Sequence, residues 1–469
     1  MNRRIALKLM VTSAAGSLAA ACQPSRSAAP AAQLESTTVP ANSAVSTPEP
    51  TAVPTLTGSR AKVEMWWNIS NEKDIEAYQA AFDKYNQSQD KTELRIGRGK
   101  GNDAFLTAVS GGKPPDIYMT WDGSEPIGTW AHNGVLKPLD DFIAKDKVDL
   151  SKAVPALARI GNYSGKQWGV PWQFDSILLF YNKKHMQEVG LDPEKPPQTL
   201  PELYEAAKKL TKTDSSGNVT RMGFRPPNWD MLWFSFFNLF SGEFIDSTGT
   251  KFTADHPGNL AAMVEMQNMW KLYGDPTVVD KFTAGLGGGL TPDDPFLKGQ
   301  ISMTLDGDWR MGYVARYTDQ KYGADFGVTT IPYPEGKKDK LGASYIFGMN
   351  LVTPYNAPHP DEAWDAMRFF QQPETDALVA LKMWNLPWAR ENFVKPELQA
   401  MPGFSVALDN AAKNGEKFTH MPVTPATSQY ADAIKQQMDL VVHGKATPDQ
   451  AAKEINSVAQ QALDTALAK

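Results

Sequence analysis

Tryptophan recurs in this sequence beside acidic or uncharged polar residues, and does so where extended segments end. Trp66, Trp67 and Asn68 close one such segment, Trp121 and Asp122 another, and Trp172 is followed by Gln173 and Asp175. Trp229 and Trp233 stand in a proline-rich turn and the helix pattern after it, and Asp306, Asp308 and Trp309 close a further apolar run. Tyr345 and Phe347 lie between Gly342 and Gly348, and Trp384, Trp388 and Arg390 come last. An indole face offers a flat apolar platform, while Asp, Asn, Gln and Arg pair with hydroxyls. A ligand that shows both C–H patches and many hydroxyls is a carbohydrate, and this mixture suits one. Strand alternation sends Trp66 and Trp67 to opposite faces, so one of them reaches a cleft. The expected ligand-binding set is Trp67, Asn68, Trp121, Asp122, Trp172, Gln173, Asp175, Trp229, Asp306, Asp308, Trp309, Tyr345, Trp384 and Arg390.

Other chemistries fit less well. The glycine run from Gly285 to Gly289 lacks the Lys-Ser/Thr that completes a phosphate cradle and reads as a loop. The six histidines are scattered with no pair at metal spacing, and neither Asp293-Asp294 nor Asp306-Gly307-Asp308 sits in a calcium-loop pattern. No metal, no cofactor and no catalytic residue is expected. Two rivals share the residue chemistry. A glycoside hydrolase needs two carboxyls about 5 to 9.5 Å apart across a bond. A receptor for a cation such as a polyamine or an amino sugar would use Glu125 with Asp122, Asp175, Asp306 and Asp308 as an acidic cleft.

The elements that must position these residues alternate. Val63–Trp67 reads as a strand, and Asn71 caps a helix with Ile75, Tyr78, Phe82 and Tyr85 on one face. Leu94–Ile96 is a strand, Asp103–Ser110 a helix, and Pro115–Thr120 a strand. Further strands are expected at 176–181, 301–305 and 326–330. Thr199 to Glu202 forms a capping box, and Thr447 to Gln450 starts a long final helix. Such alternation predicts mostly parallel sheets wrapped by helices, with ligands at the carboxyl ends of strands. Trp130, Trp270 and Trp364, at helical spacing among apolar neighbours, are expected in the core.

The first residues carry Arg3, Arg4 and Lys8, then an uncharged run from Leu9 to Ala21, then Cys22, the only cysteine. That run is shorter than the roughly 18 to 20 residues that span a bilayer, so it reads as an export signal. Residues 23–60 hold six prolines among Ala, Ser and Thr without an aromatic residue, and read as a flexible linker. A body of about 400 residues follows, enough for two lobes. The net charge of -6 gives no basic field for nucleic acid or anionic lipid.

Asn2-Arg3-Arg4-Ile5-Ala6-Leu7-Lys8 resembles a twin-arginine export motif, and Leu18-Ala19-Ala20-Ala21-Cys22 resembles a bacterial lipobox, which implies a lipid anchor on Cys22. Downstream, Pro115-Asp116-Ile117, Asn133 to Asp140, Ser164-Gly165-Lys166-Gln167-Trp168-Gly169-Val170-Pro171, Tyr181-Asn182-Lys183, Phe296 to Met303 and Gly307-Asp308-Trp309 follow one another in order. In that order they resemble the extracellular solute-binding proteins of bacterial sugar importers, the maltose- and trehalose-binding type. The resemblance implies a two-lobed type II periplasmic-binding fold, with lobe 1 at 61–171 and 331–371 and lobe 2 at 172–330 and 372–469. It also implies a monomer that closes on a carbohydrate, probes no membrane except through its anchor, and delivers to ABC transporter permease subunits. Asp175, Trp309 and Tyr345 fall where family members touch sugar.

Overall fold

The architecture follows from a computed structural model that describes residues 60–68, 72–121, 125–289, 291–319 and 321–468. Cys22, the segment before residue 60, Asn71 and Asp122 lie outside the described residues.

Alternation in Ala61–Trp66 (β1) buries Val63 and Met65 and leaves Lys62 and Glu64 outward. The helix Glu72–Ser88 then lays Ile75, Tyr78, Phe82 and Tyr85 on the sheet, all buried, as their 3.6-residue spacing requires. Thr92–Gly97 (β2) and Ile117–Thr120 (β3) complete a parallel trio with β1 at its centre. Asn162–Tyr163 (β4) and Lys166–Gln167 (β5) form a small hairpin. Gly169–Asn182 (β6) is a strand of fourteen residues, every one buried. Lys212–Thr213 (β7), Val219–Arg225 (β8), Ile301–Gly307 (β9) and Phe326–Thr330 (β10) follow, then Ser344–Val352 (β11), Leu386–Pro387 (β12) and Phe418–Thr419 (β13).

All but the hairpin join in one sheet of order β2-β1-β3-β11-β6-β9-β8-β7, with β10 and β12 also on β6 and β13 on β11. The sheet is mixed rather than mostly parallel. Parallel pairs β1–β2, β1–β3 and β8–β9 sit in its two halves, while β6 and β11 run antiparallel to each other and to β9 and β3. A chain returning from the other half enters its sheet from the opposite end, which makes these crossing strands antiparallel. β6 pairs with β11 as far as Ser176 and with β9 from Ile177 onward, so one strand passes from one half to the other at that step.

Val63, Met65, Phe82, Trp172, Met349 and Phe370 pack in a first core, and Leu203, Met222, Phe224, Met266, Ile434 and Ile455 in a second. A third cluster joins the halves, with Phe105, Tyr118 and Trp130 beside Phe180, Met311 and Phe326. Trp130 and Trp364 are buried on the first half and Trp270 on the second, as expected. The helix Pro373–Met383 packs on Glu72–Ser88, with Val379 and Met383 in the first core. It ends at Trp384, whose left-handed φ of 65° turns the chain toward β12. The boxes at Thr199/Glu202 and Thr447/Gln450 form reciprocally, each satisfying two free N–H groups at a helix start.

Candidate ligand-binding site

The step between Ser176 and Ile177 is where polar side chains collect. In the antiparallel register Phe347 stands opposite Asp175 and Met349 opposite Gln173, so these four side chains share one face. At the end of β9, Asp308 closes onto the same step. Its Oδ2 accepts the Ser176 N–H at 3.2 Å and the Ser176 hydroxyl at 3.4 Å, and its own N–H donates to the Ser176 carbonyl at 3.2 Å. From the chain just after Trp384, Asn385 Nδ2 donates to Asp175 Oδ1 at 2.6 Å. From the first helix, the Tyr78 hydroxyl reaches Gln173 Oε1 at 3.5 Å and Met349 Sδ at 3.9 Å. Strands β6, β9 and β11, the first helix and the chain entering β12 thus meet in one buried cluster.

Asp175 and Asp308 are 1 % and 0 % exposed, too dry for two adjacent negative charges. Burial raises the Asp175 carboxyl, against hydrogen bonds from Asp308 and Asn385 that favour its charge. Burial also raises Asp308, and the charge of Asp175 raises it further. The pair therefore titrates as a unit, and Asp308, raised by burial and by its neighbour's charge, donates its proton to Asp175. Tyr78 keeps its proton as well, through burial first and then the charges of Asp175 and Asp74, so its hydroxyl remains a donor. Asn385 Oδ1 and Gln173 Nε2, in side chains 1 % and 0 % exposed, have no hydrogen-bond partner among the described residues. Buried polar atoms seldom go unpaired, and these two mark unused capacity for a ligand hydroxyl or water.

An aromatic wall adjoins the cluster. Trp309 lies 6.2 Å from Trp229 and 6.0 Å from Phe347 between ring centroids, and Phe347 lies 5.4 Å from Tyr345. Trp229 and Trp309 are half-buried, so part of each ring is open. Gly307 allows this arrangement: a methyl group there would stand 2.0 Å from the Trp309 ring, which folds back over its backbone. The spacing Gly-Asp-Trp thus has a steric cause.

The structure brings together Gln173, Asp175, Asp308, Trp309, Trp229 and Tyr345 of the expected set, and adds Tyr78, Phe347 and Asn385. It disperses others. Trp67 and Trp172 are core residues, 1 % and 0 % exposed, packed on Tyr78 and, for Trp172, stacked on Phe370. Alternation separates the two sheet faces without saying which is covered by a helix; Trp66 is the more exposed of the pair, its ring over Gly97. Asp306 is engaged elsewhere: Arg310 binds its Oδ2 at 2.6–2.7 Å, the Gly307 N–H donates to its Oδ1, and Asp294 takes the other side of the same guanidinium at 3.1 Å. Burial works against the charge of Arg310, but Asp306 and Asp294 outweigh it and hold that charge in place. Arg390 is on the surface with Glu416 at 2.7 Å and the Ala153 carbonyl at 3.1 Å. Asn68 is exposed beside Gly101, Trp121 packs on the edge of the first core, and Trp384 packs against Phe404. Asp122 and the side chain of Glu125 lie outside the described residues. Among the described residues no group of three or more His, Cys, Asp or Glu is placed to hold a metal ion.

Two α/β halves joined by crossing strands, with polar and aromatic groups gathered at the crossing, define a solute receptor of the type II periplasmic-binding class. Residues 70–377 match the bacterial extracellular solute-binding protein family, and the chain belongs to it. It is similar to the maltotriose-binding protein of Pyrococcus abyssi, 26 % identical over 361 residues that cover 75 % of this chain and 72 % of that one. It is similar also to the sn-glycerol-3-phosphate-binding periplasmic protein UgpB of Brucella abortus, 25 % identical over 285 residues, 58 % of this chain and 62 % of that protein. Among solved structures, CpMnBP1 with mannotriose bound superposes with a TM-score of 0.74 at 27 % identity, covering 85 % of this chain and 100 % of that one. The family consists of solute-binding proteins rather than enzymes and works outside the cytoplasm; among the described residues no helix is long and apolar enough to cross a membrane.

Proposed function

We propose that this protein is the substrate-binding component of an ABC importer and captures an oligosaccharide between its lobes. The observation that carries the reading is the meeting, at one chain crossing, of an open aromatic wall with buried hydrogen-bonding groups that have capacity to spare. Sugar C–H faces stack on Trp309 and Trp229, and hydroxyls engage Asn385, Gln173 and the Asp175–Asp308 pair as the lobes close. The names of the maltotriose- and mannotriose-binding relatives agree with this chemistry. A phosphate-bearing ligand, as for the glycerol-3-phosphate relative, would bring its dianion toward an acidic pair. Hydrolysis is disfavoured by the same pair: two carboxyls in hydrogen-bonding contact leave no room for a glycosidic bond, which needs about 5 Å or more between them.

The lobes divide, in this reading, at Ser176/Ile177 on β6 and at Trp384–Asn385, with Pro373–Met383 moving as part of the first lobe. Cys22 carries a diacylglycerol anchor, residues 23–60 form the tether, and the receptor acts as a monomer. Calorimetric titration with maltotriose, mannotriose, sn-glycerol-3-phosphate and a polyamine tests the assignment. Binding of a trisaccharide in the micromolar range or tighter supports it, and binding of the amine or the phosphate alone overturns it. Sugar release from the trisaccharides would establish an enzyme instead.

A further inference from the structure

Beyond the ligand-facing groups, the two halves make charged and close-packed contacts with each other. Asp74, in the first turn of the helix Glu72–Ser88, lies 3.3 Å through Oδ1 from Nη2 of Arg316, in the last turn of the helix Trp309–Tyr317. The two side chains are 13 % and 16 % exposed. The guanidinium carbon of Arg316 stands 5.0 Å from the Tyr313 ring, which stacks on Tyr317 at 5.7 Å. The first helix is part of the first core, whereas Trp309–Tyr317 extends from the end of β9 in the second half. The ion pair therefore bridges the cleft beside Tyr78, whose proton responds to both charges.

A second bridge is steric. The helix Glu125–His132 is tied to the first half by Trp130, whose ring lies 4.8 Å from Phe105 and 5.6 Å from Tyr118, and approaches the segment between Met421 and Ala426, both in the second core. A methyl group on Gly128 would lie 2.3 Å from the Thr424 carbonyl oxygen, and Thr129 Oγ1 donates to the Pro425 carbonyl at 3.1 Å. The halves touch at both places through groups that need no ligand.

Each charge sits at the helix end that favours it, an acid at an N-terminus and a base at a C-terminus, so each survives alone when the lobes part and water returns. Closure strips that water. Burial raises the Asp74 carboxyl and the charge of Arg316 opposes the rise. A matched pair tolerates desolvation, but one charge left without its partner in the closed state does not.

We propose that Asp74 and Arg316 form a closure pair whose charge match sets how readily the lobes shut, and through that the affinity for every ligand alike, without choosing among ligands. This rests on the reading of the protein as a hinge-closing receptor. A ligand that binds only the closed form loses apparent affinity in proportion to the closed fraction.

The test compares Asp74→Asn, Arg316→Gln and the double variant, each checked for folding by circular dichroism, with Arg316→Lys as a charge-keeping control. Affinities for maltotriose and mannotriose are measured by calorimetry. Ligand-free lobe separation is measured by electron–electron double resonance between spin labels at Lys84→Cys and Lys208→Cys in a Cys22→Ser background. Each single neutralisation should weaken both sugars by the same factor, about 10-fold, and lengthen the ligand-free distance. The double variant should return to within about 3-fold of the parent, since no buried charge is left alone. Arg316→Lys should keep the parent distance. Unequal losses for the two sugars with an unchanged distance, or a double variant whose loss is the sum of the singles, would overturn the proposal. If neither sugar binds the parent protein, the carbohydrate assignment falls, and the ligand-free distances still decide the pair: no change on neutralisation refutes it.

Discussion

Replacing Asp308 by asparagine should make the protein more stable at pH 8 and remove the part of its pH dependence that Asp308 carries. In the parent, burial holds Asp175 at about 7 against an ordinary value of 3.8. Between those values the folded chain keeps a proton on Asp175 that the unfolded chain has lost, and the raised Asp308 carboxyl adds a second, so stability falls as pH rises through the window and goes on falling while Asp308 stays protonated. Each pKa unit is worth ~1.4 kcal/mol, which over some three units makes roughly 4 kcal/mol. In Asp308→Asn the new amide oxygen can still accept from Ser176 while its N–H donates to Asp175; burial still raises Asp175, but the proton that Asp308 carried in the folded chain, and its share of the pH dependence, are gone. For a chain of this size ~4 kcal/mol corresponds to roughly 5 °C in Tm. Thermal unfolding at pH 5, 6, 7 and 8 should show the variant gaining on the parent at each step, and the two meeting near pH 5. Parallel curves, or a variant less stable at every pH, would refute the shared proton and with it the account of how two acids fit at this crossing.

The remaining predictions concern the wall, its support and the ends of the chain. Trp309→Ala should weaken trisaccharide binding about 10-fold or more by calorimetry, with a small change in Tm, because the half-open ring supplies a stacking surface. Gly307→Ala should give a similar loss, since the added methyl displaces that ring; unchanged affinity would mean the wall is not used. Arg310→Met should lower stability by about 3–5 kcal/mol in denaturant unfolding, because Asp294 and Asp306 would be left buried without their cation. Cys22→Ala should leave affinity unchanged and shift the protein from the membrane to the soluble fraction on cell fractionation.

Strand ends are readable in part. Asp308 and Trp309 follow the close of β9, where polar and aromatic residues after an apolar run stand out, whereas Asp175 lies in the middle of β6 and Trp229 caps a helix. Asp306 satisfies the same rule yet is taken by Arg310, and the clue was present four residues on, where helical spacing sets an acid and a base side by side. Trp67 and Trp172 show the limit of alternation, which assigns faces without assigning what covers them. Asn385 and Arg316 carry no local signature, because their positions depend on a third crossing and on lobe contact. Tyr78 is legible only as a core residue, its hydroxyl meeting Gln173 from 95 residues away.

The single strand β6 also governs how the chain can assemble. Ile177 and Ser344 bond to one another 167 residues apart, and β6 cannot complete its pairing in the first half until β11 exists. Pairings of such sequence separation form slowly, since loop closure must precede any gain from contact. Either half expressed alone, or a chain interrupted before Val352, would therefore present an open strand edge at β3 and lack a partner for β6, and aggregation rather than a stable half-molecule is the expected product.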